Sequence, residues 1–193
     1  FSKYPISKSR KIKYESSFNG SSIHELNING KKLTLINNTG VVQADDGGPE
    51  PLLRIYQESE FRNARRPEKF HRTEVGAGFQ IRARQARAVA EEIKKIDTDY
   101  ILVCGDFNDT PISYAHRTIQ GPLKDAYAAS GRGVGVTYNE NFFWFRIDNI
   151  LHSANMKPIN CTIDKVRYSD HYPMWCYLQL KEVIENKKSV AGN

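Results

Sequence analysis

The run Ile101-Leu102-Val103-Cys104 passes without a break into Gly105-Asp106-Phe107-Asn108 and stops at Thr110-Pro111. A short apolar run closed by glycine reads as a buried strand, because both of its faces avoid water and glycine ends the regular extended chain. The carboxylate and the amide that follow, Asp106 and Asn108, then stand at the strand's C-terminal end, where open α/β sheets keep their chemistry. What the chain can fold into is therefore constrained to a sheet with a covered central strand and a polar mouth.

The neighbours of that strand are readable on either side. Arg10 to Phe18 and Ser22 to Asn27 alternate well enough for strands, and Asn29-Gly30 is a two-residue hairpin turn into Lys31 to Asn38. Residues 39–78 hold Gly-Gly-Pro and Pro-Glu-Pro breakers and a basic cluster at Arg62, Arg65, Arg66, Lys69 and Arg72, which reads as a long irregular insertion. Phe79 to Ile96 places Ile81, Ala88, Val89, Ile93 and Ile96 on one face and ends in lysines, as a helix C-terminus prefers. Ser113 caps a second, short helix behind Pro111, and apolar runs at 142–151, 159–167 and 173–180 predict three more strands. Trp144 and its aromatic neighbours alternate within the first of these runs and read as core.

With 193 residues the chain is long enough for one domain with a sizeable core, and no apolar run approaches the roughly 18 residues that a membrane span needs. Cys104, Cys161 and Cys176 lack a CxxC spacing and cannot all pair internally, and two of them fall within apolar strand-like runs, where Cys is a small buried hydrophobe. The net charge of +6 suits a polyanionic partner such as nucleic acid and equally suits simple solubility. His24, His71, His116 and His152 show no metal-ligand spacing.

Two of the late strands carry charges that an ordinary core excludes. Arg146 and Asp148 interrupt the run Phe142 to Leu151, and a buried acid there needs a partner, either Arg146 or Arg167 as a structural ion pair or a functional group at a wet sheet end. Ser169-Asp170-His171 precedes the last strand, with Pro173 at its start. Acid-rich strand ends with one histidine suit phosphodiester hydrolysis, which needs a divalent cation against the phosphate charge, a positioned water and a base that titrates near neutrality.

Gly105-Asp106-Phe107-Asn108, Arg146-Ile147-Asp148-Asn149-Ile150-Leu151 and Ser169-Asp170-His171-Tyr172-Pro173 resemble, in this order, the three C-terminal motifs of the endonuclease/exonuclease/phosphatase superfamily. Its members include deoxyribonuclease-I-like nucleases, abasic-site endonucleases, neutral sphingomyelinases and inositol polyphosphate 5-phosphatases. The opening Phe1 to Ile6 and the run Lys31 to Asn38 resemble earlier segments of the same family. The resemblance implies an α/β fold, an α/β/β/α sandwich whose N-terminal part is missing, with residues 1–193 as a single partial domain interrupted at about 39–78.

It also implies a Mg²⁺- or Mn²⁺-dependent phosphoesterase. His171 is then the general base, Asp148 its orienting partner, Asp106 the group that aligns water, Asn108 the phosphate contact, and Asp170 with Asp106 the metal carboxylates. The family's principal magnesium-binding Glu has no counterpart, and Thr39-Gly40 stands where a His-Leu pair is the rule; Asp45, Asp46 and Glu50 are the other acids nearby. The implied partners are a phosphate-ester substrate, nucleic acid among the candidates, and a second chain or second copy over the sheet face left bare. Two further readings stand beside the enzyme: a catalytically incompetent remnant that acts as an interaction module, and a nucleic-acid-binding module that does not cut.

Overall fold

The computed structural model describes residues 2–14, 20–39, 70–139 and 144–182. The acids Asp45, Asp46 and Glu50 and the cations Arg62, Arg65, Arg66 and Lys69 lie outside the described residues, as does the side chain of Arg72. In chain order the elements are β1 (Ile6–Lys11), β2 (Gly20–Ile28), β3 (Lys31–Thr39), α1 (Phe70–Lys94), β4 (Tyr100–Asp106), α2 (Tyr114–Gln120), β5 (Lys124–Asp125), α3 (Ala126–Ser130), β6 (Asp148–His152), β7 (Met156–Ile163) and β8 (Met174–Leu180).

The strands form a six-stranded sheet in the order β1-β2-β3-β4-β6-β5 and a two-stranded sheet of β7 and β8. The β2–β3 hairpin turns at Asn29 and Gly30, whose φ angles of 53° and 87° supply the left-handed pair that a tight hairpin requires. Parallel pairing of β3 with β4 demands a crossover, and α1 lies on it. β4 then runs antiparallel to β6, so the apolar run from Ile101 to Cys104 sits inside the sheet with a neighbour on each side.

Both faces of the large sheet are covered in part: β1 is exposed along its whole length, and a cavity separates Leu102, Cys104 and Ile150 from Met174, Cys176 and Leu178 of β8. Ile23, Ile36, Val103 and Leu151 pack against Ala86, Val89 and Ile93 of α1 and Ala115 and Ile119 of α2. On the opposite face Leu26, Leu33 and Tyr100 meet Met156, with Leu178 and Leu180 of β8 packed beside them. Each fully buried aliphatic contributes roughly 1.5–3 kcal/mol relative to exposure, so these two seams account for the stacking of helix layer, large sheet and small sheet. This is the sandwich expected from the sequence, with three layers formed by the described residues.

The differences from expectation are local and have physical causes. The first strand is Ile6–Lys11 rather than a run from Arg10, and residues 15–18 lie outside the described set. Helix α1 begins at Phe70, within the stretch read as irregular, and its buried stripe is Arg82, Gln85, Ala86, Val89 and Ile93. Two polar residues on the inner face hid the true register, because the apolar pattern alone had placed Ile81 there. The guanidinium of Arg82 lies 3.9 Å from the buried carboxylate of Asp109, just beyond the Asp106 loop.

The run 142–151 becomes a strand only at Asp148, and Trp144 and Phe145 are exposed rather than core. Alternation was misleading here because Arg146 turns inward to a buried partner. Its guanidinium spans both carboxylate oxygens of Asp125 at 3.1 and 2.5 Å and also donates to Asn149 Oδ1 at 3.1 Å. Asp125 itself caps α3, accepting from the N–H groups of Tyr127 and Ala128. Burial works to raise the Asp125 carboxyl, yet the Arg146 bonds and the cap hold it below its usual range. Neither β5 nor α3 was visible in the sequence, since two and five residues are too short for periodicity to register. Ser113 does cap α2, accepting from the His116 N–H at 3.1 Å. Cys104, Cys161 and Cys176 are all free thiols, Cys161 fully within the core.

Candidate active site

Antiparallel pairing sets the site. In the β4–β6 register Asp106 stands directly opposite Asp148, and Gly105 opposite Asn149, so the end of one motif and the start of the next are cross-strand neighbours. Two acids so paired repel unless a proton or a cation lies between them. His171 arrives from the loop before β8 and its Nδ1 is 2.8 Å from Asp148 Oδ2. One donor atom from each of Asp106, Asp148 and His171 lies within 4.8 Å of the others. Asp170, exposed, is near enough for its charge to act on both Asp106 and His171.

Local backbone chemistry holds the arrangement. Gly105 has φ +133°, and a Cβ there would lie 1.9 Å from the carbonyl oxygen of Asn38, so only glycine lets β3 approach β4 this closely. Asn38 is fully buried, accepts from Ser21 Oγ at 2.6 Å and donates from Nδ2 to the Asp106 carbonyl at 3.3 Å. Asn108 adopts a left-handed φ of 48° and its N–H donates to Asp106 Oδ1 at 2.7 Å.

Thr137 joins the two halves of the pair. Its buried Oγ1 accepts from the N–H groups of Ile147 and Asp148 at 3.0 and 3.1 Å, and its carbonyl accepts from Tyr172 N at 2.6 Å. Asn139 adds its own N–H and its Nδ2, both donating to the Asp170 carbonyl. The Tyr138 ring meets His171 edge-on at 5.3 Å.

Charge follows from this geometry. The hydrogen bond to Asp148 pushes His171 up to about 9 against the opposing cost of its partial burial, and the charges of Asp148, Asp106 and Asp170 add to it. Burial raises Asp106 to about 6, assisted by the like charges of Asp148 and Asp170 and opposed by the Asn108 N–H and by His171. At neutral pH His171 is thus held as an imidazolium close to Asp106, whose carboxyl is raised towards neutrality. The site faces a cavity of about 640 Å³ lined by His171, Asp148, Gly105, Leu102, Met174 and Leu178 among others.

The structure brings together Asp106, Asp148 and His171, with Asn108 on the loop directly after Asp106 and Asp170 next to His171 in the chain. Arg146 is engaged with Asp125 rather than Asp148, which removes that structural ion-pair alternative for Asp148. Residues that sequence reasoning missed are Asn38, Thr137 and Asn139. Nothing in the run Leu35 to Asn38 or in Val136 to Asn139 marks them, since their partners are distant in the chain.

The family model for the endonuclease/exonuclease/phosphatase family matches residues 1–171. The chain belongs to that family. Among curated proteins none is similar enough in sequence to match. Solved structures with the same fold include an endonuclease/exonuclease/phosphatase protein from Bacteroides vulgatus, at a TM-score of 0.64 and 20% identity over 92% of this chain and 67% of that one. A Bacteroides thetaiotaomicron mannosyl-6-phosphatase matches at 0.61 with 16% identity over 92% and 67% of the two chains. Staphylococcus aureus beta toxin, in a variant with bound magnesium ions, matches at 0.60 with 18% identity over 91% and 66%. This family member therefore spans about two thirds of the length of those structures, and at such identities the likeness shows the fold.

Proposed function

We propose that the chain hydrolyses phosphate esters with the help of a divalent cation, using the His171–Asp148 pair to transfer the proton. The observation that carries this is the 2.8 Å bond from His171 to Asp148 placed beside Asp106 across the β4–β6 register. A histidine oriented by a carboxylate through one ring nitrogen leaves the other, Nε2, as the atom that gives or takes a proton. Raised to about 9, His171 holds that proton in the resting chain and gives it to the leaving oxygen; in the reverse sense the same atom accepts one from water. Asp106, ionised above about pH 6, is the acceptor that aligns the water. Asn108 supplies an amide that can donate to a phosphate oxygen without adding negative charge.

The donor set fits a hard cation in part. Carboxylate oxygens suit Mg²⁺ or Mn²⁺; Asp148 Oδ2 is bonded to His171 Nδ1, so this reading gives the ion to Asp106, a member of the Asp106–Asp148–His171 cluster, and to the exposed Asp170 next to His171 in the chain. Bound there, such an ion offsets negative charge on the phosphate. The metal-bound relative and the phosphatase relative support the reading at the level of the fold. Turnover of bis(p-nitrophenyl) phosphate by the purified chain should appear with Mg²⁺ or Mn²⁺ and vanish in EDTA; no turnover with either metal would refute the proposal.

A further inference from the structure

Cys104, Cys161 and Cys176 are free thiols, and the hydrolytic reading uses none of them. Two of them are brought together by an irregularity in the small sheet. The β7–β8 register runs from Met156↔Leu180 to Ile159↔Tyr177 and resumes at Thr162↔Trp175 and Ile163↔Met174. Between those stretches β7 has two residues, Asn160 and Cys161, where β8 has one, Cys176. That is a β-bulge, and Asn160 carries it with a left-handed φ of 52°.

The bulge changes which residues of β7 face inward. Before it Met156 is buried with Leu178 and Leu180 of β8; after it Cys161 and Ile163 turn inward with Met174 and Cys176. Without the extra residue Cys161 would point away from Cys176, because a shift of one position turns a strand side chain to the other face. Opposed residues on antiparallel strands have Cα atoms about 4.5–5.5 Å apart, inside the roughly 4.4–6.8 Å that a disulfide spans. The two side chains are near enough to hydrogen-bond, and Cys176 Sγ lies 3.7 Å from the Ile159 carbonyl oxygen on β7. Ser130 Oγ touches both residues, accepting from Cys161 N at 3.3 Å and lying 4.0 Å from Cys176 Sγ.

Their surroundings differ. Cys161 is 4% exposed, and burial, with the Cys176 thiol beside it, pushes its own thiol up to about 12. Cys176 is half-buried and lines the 640 Å³ cavity that His171 also lines. A reagent in that cavity therefore meets Cys176 first, with Cys161 held behind it as a thiol.

We propose that Cys161 and Cys176 form a reversible dithiol–disulfide pair, a modification site in the small sheet that reacts with a small-molecule disulfide such as oxidised glutathione. The Cys176 thiolate attacks one sulfur of the glutathione disulfide and expels a glutathione thiolate, which leaves a mixed disulfide on Cys176. Cys161 sulfur then attacks Cys176 sulfur, its proton passes to the departing thiolate, and the second glutathione leaves. The protein gives up two hydrogens and two electrons, and the oxidant becomes two glutathione thiols. An adduct on Cys176 alone would stay in the cavity that His171 lines, so Cys161 is the group that clears it. The chemistry uses neither metal nor phosphate and stands apart from the hydrolytic reading.

Intact mass and non-reducing peptide mapping test this on the full chain, reduced, freed of reductant and equilibrated with oxidised glutathione at about pH 8, where an ordinary thiol is partly ionised. Trypsin cuts at Lys165 and Arg167, so the two cysteines fall in separate peptides that only the bridge can join. The mass should fall by two hydrogens and the Cys161 and Cys176 peptides should be linked, in the wild-type chain and in Cys104→Ser alike, and dithiothreitol should reverse both changes. Adding Cys161→Ser to Cys104→Ser should arrest the reaction at the glutathione adduct on Cys176. The oxidised Cys104→Ser chain should melt about 6–12 °C above its reduced form, the worth of closing a loop of about 15 residues in a chain of this size. A bridge to Cys104, a disulfide only between two chains, or both thiols still open to alkylation at equilibrium would overturn the proposal. So would an unmodified Cys176 in the Cys161→Ser chain, or a melting temperature that does not rise on oxidation. Mapping the wild-type chain needs no substitution, so the central result does not depend on whether a variant folds.

Discussion

Replacing Asp148 by Asn perturbs the site through one named interaction. In the folded chain His171 is raised from 6.5 to about 9, and the hydrogen bond to Asp148 is the largest cause. At 1.36 kcal/mol per pH unit this rise is about 3.4 kcal/mol of preference for the imidazolium, trimmed to about 2–3 kcal/mol because solvent reaches the ring. A raised folded pKa means that the protonated pair stabilises the fold fully below 6.5 and that the benefit is lost as pH rises from there through about 9. Asp148→Asn should therefore lower the His171 pKa by about 1–2 pH units, since burial then pulls it down while Asp106 and Asp170 still pull it up. The same variant should cost most of the stated stability at pH 6 and much less at pH 10. NMR titration of the His171 ring and denaturant unfolding at the two pH values read both effects. A wild-type His171 that titrates near 6.5, or one that the substitution does not move, would refute this reasoning.

Further perturbations probe the parts that hold the site. Gly105→Ala should cost about 2 kcal/mol or more in denaturant unfolding, because its Cβ would strike the Asn38 carbonyl; an unchanged midpoint would contradict the close approach. Arg146→Met leaves Asp125 buried without its cation and should cost about 3–5 kcal/mol, with Asp125→Asn in the same chain recovering part of it, as thermal melts would show. Calorimetry should find Mg²⁺ affinity no tighter than about 1 mM, since among the described residues Asp106 and Asp170 are the carboxylates this reading leaves to the ion, which keeps most of its water; micromolar binding would mean that another ligand has been overlooked.

The sequence placed Asp106, Asp148 and His171 near strand ends, and the fold brings the three side chains together. Asp106 and Asp148 stood out because each follows or interrupts an apolar run, and His171 because it comes just before the last one; their order matches a known set of motifs. The Asn29-Gly30 turn and the Ser113 cap were legible because their chemistry is local. Thr137 and Asn38 were not, since each acts through hydrogen bonds to segments distant in the chain. Trp144 was read as core because it alternates with apolar neighbours, but the Arg146–Asp125 pair fixes the backbone there and leaves the indole in water. Tertiary pairing overrode local pattern at that point, as it did where Arg82 rather than Ile81 occupies the inner face of α1.

Whether His171 moves the proton in phosphate-ester hydrolysis is tested most directly by kcat for bis(p-nitrophenyl) phosphate with saturating Mg²⁺, compared between the wild-type chain and His171→Ala. Loss of a positioned acid–base group should lower kcat by roughly 10² to 10⁴, whereas Asp97→Ala, on the connection between α1 and β4, should leave it unchanged. A His171→Ala chain that turns over at the wild-type rate would contradict the proton-transfer role and leave the family fold standing.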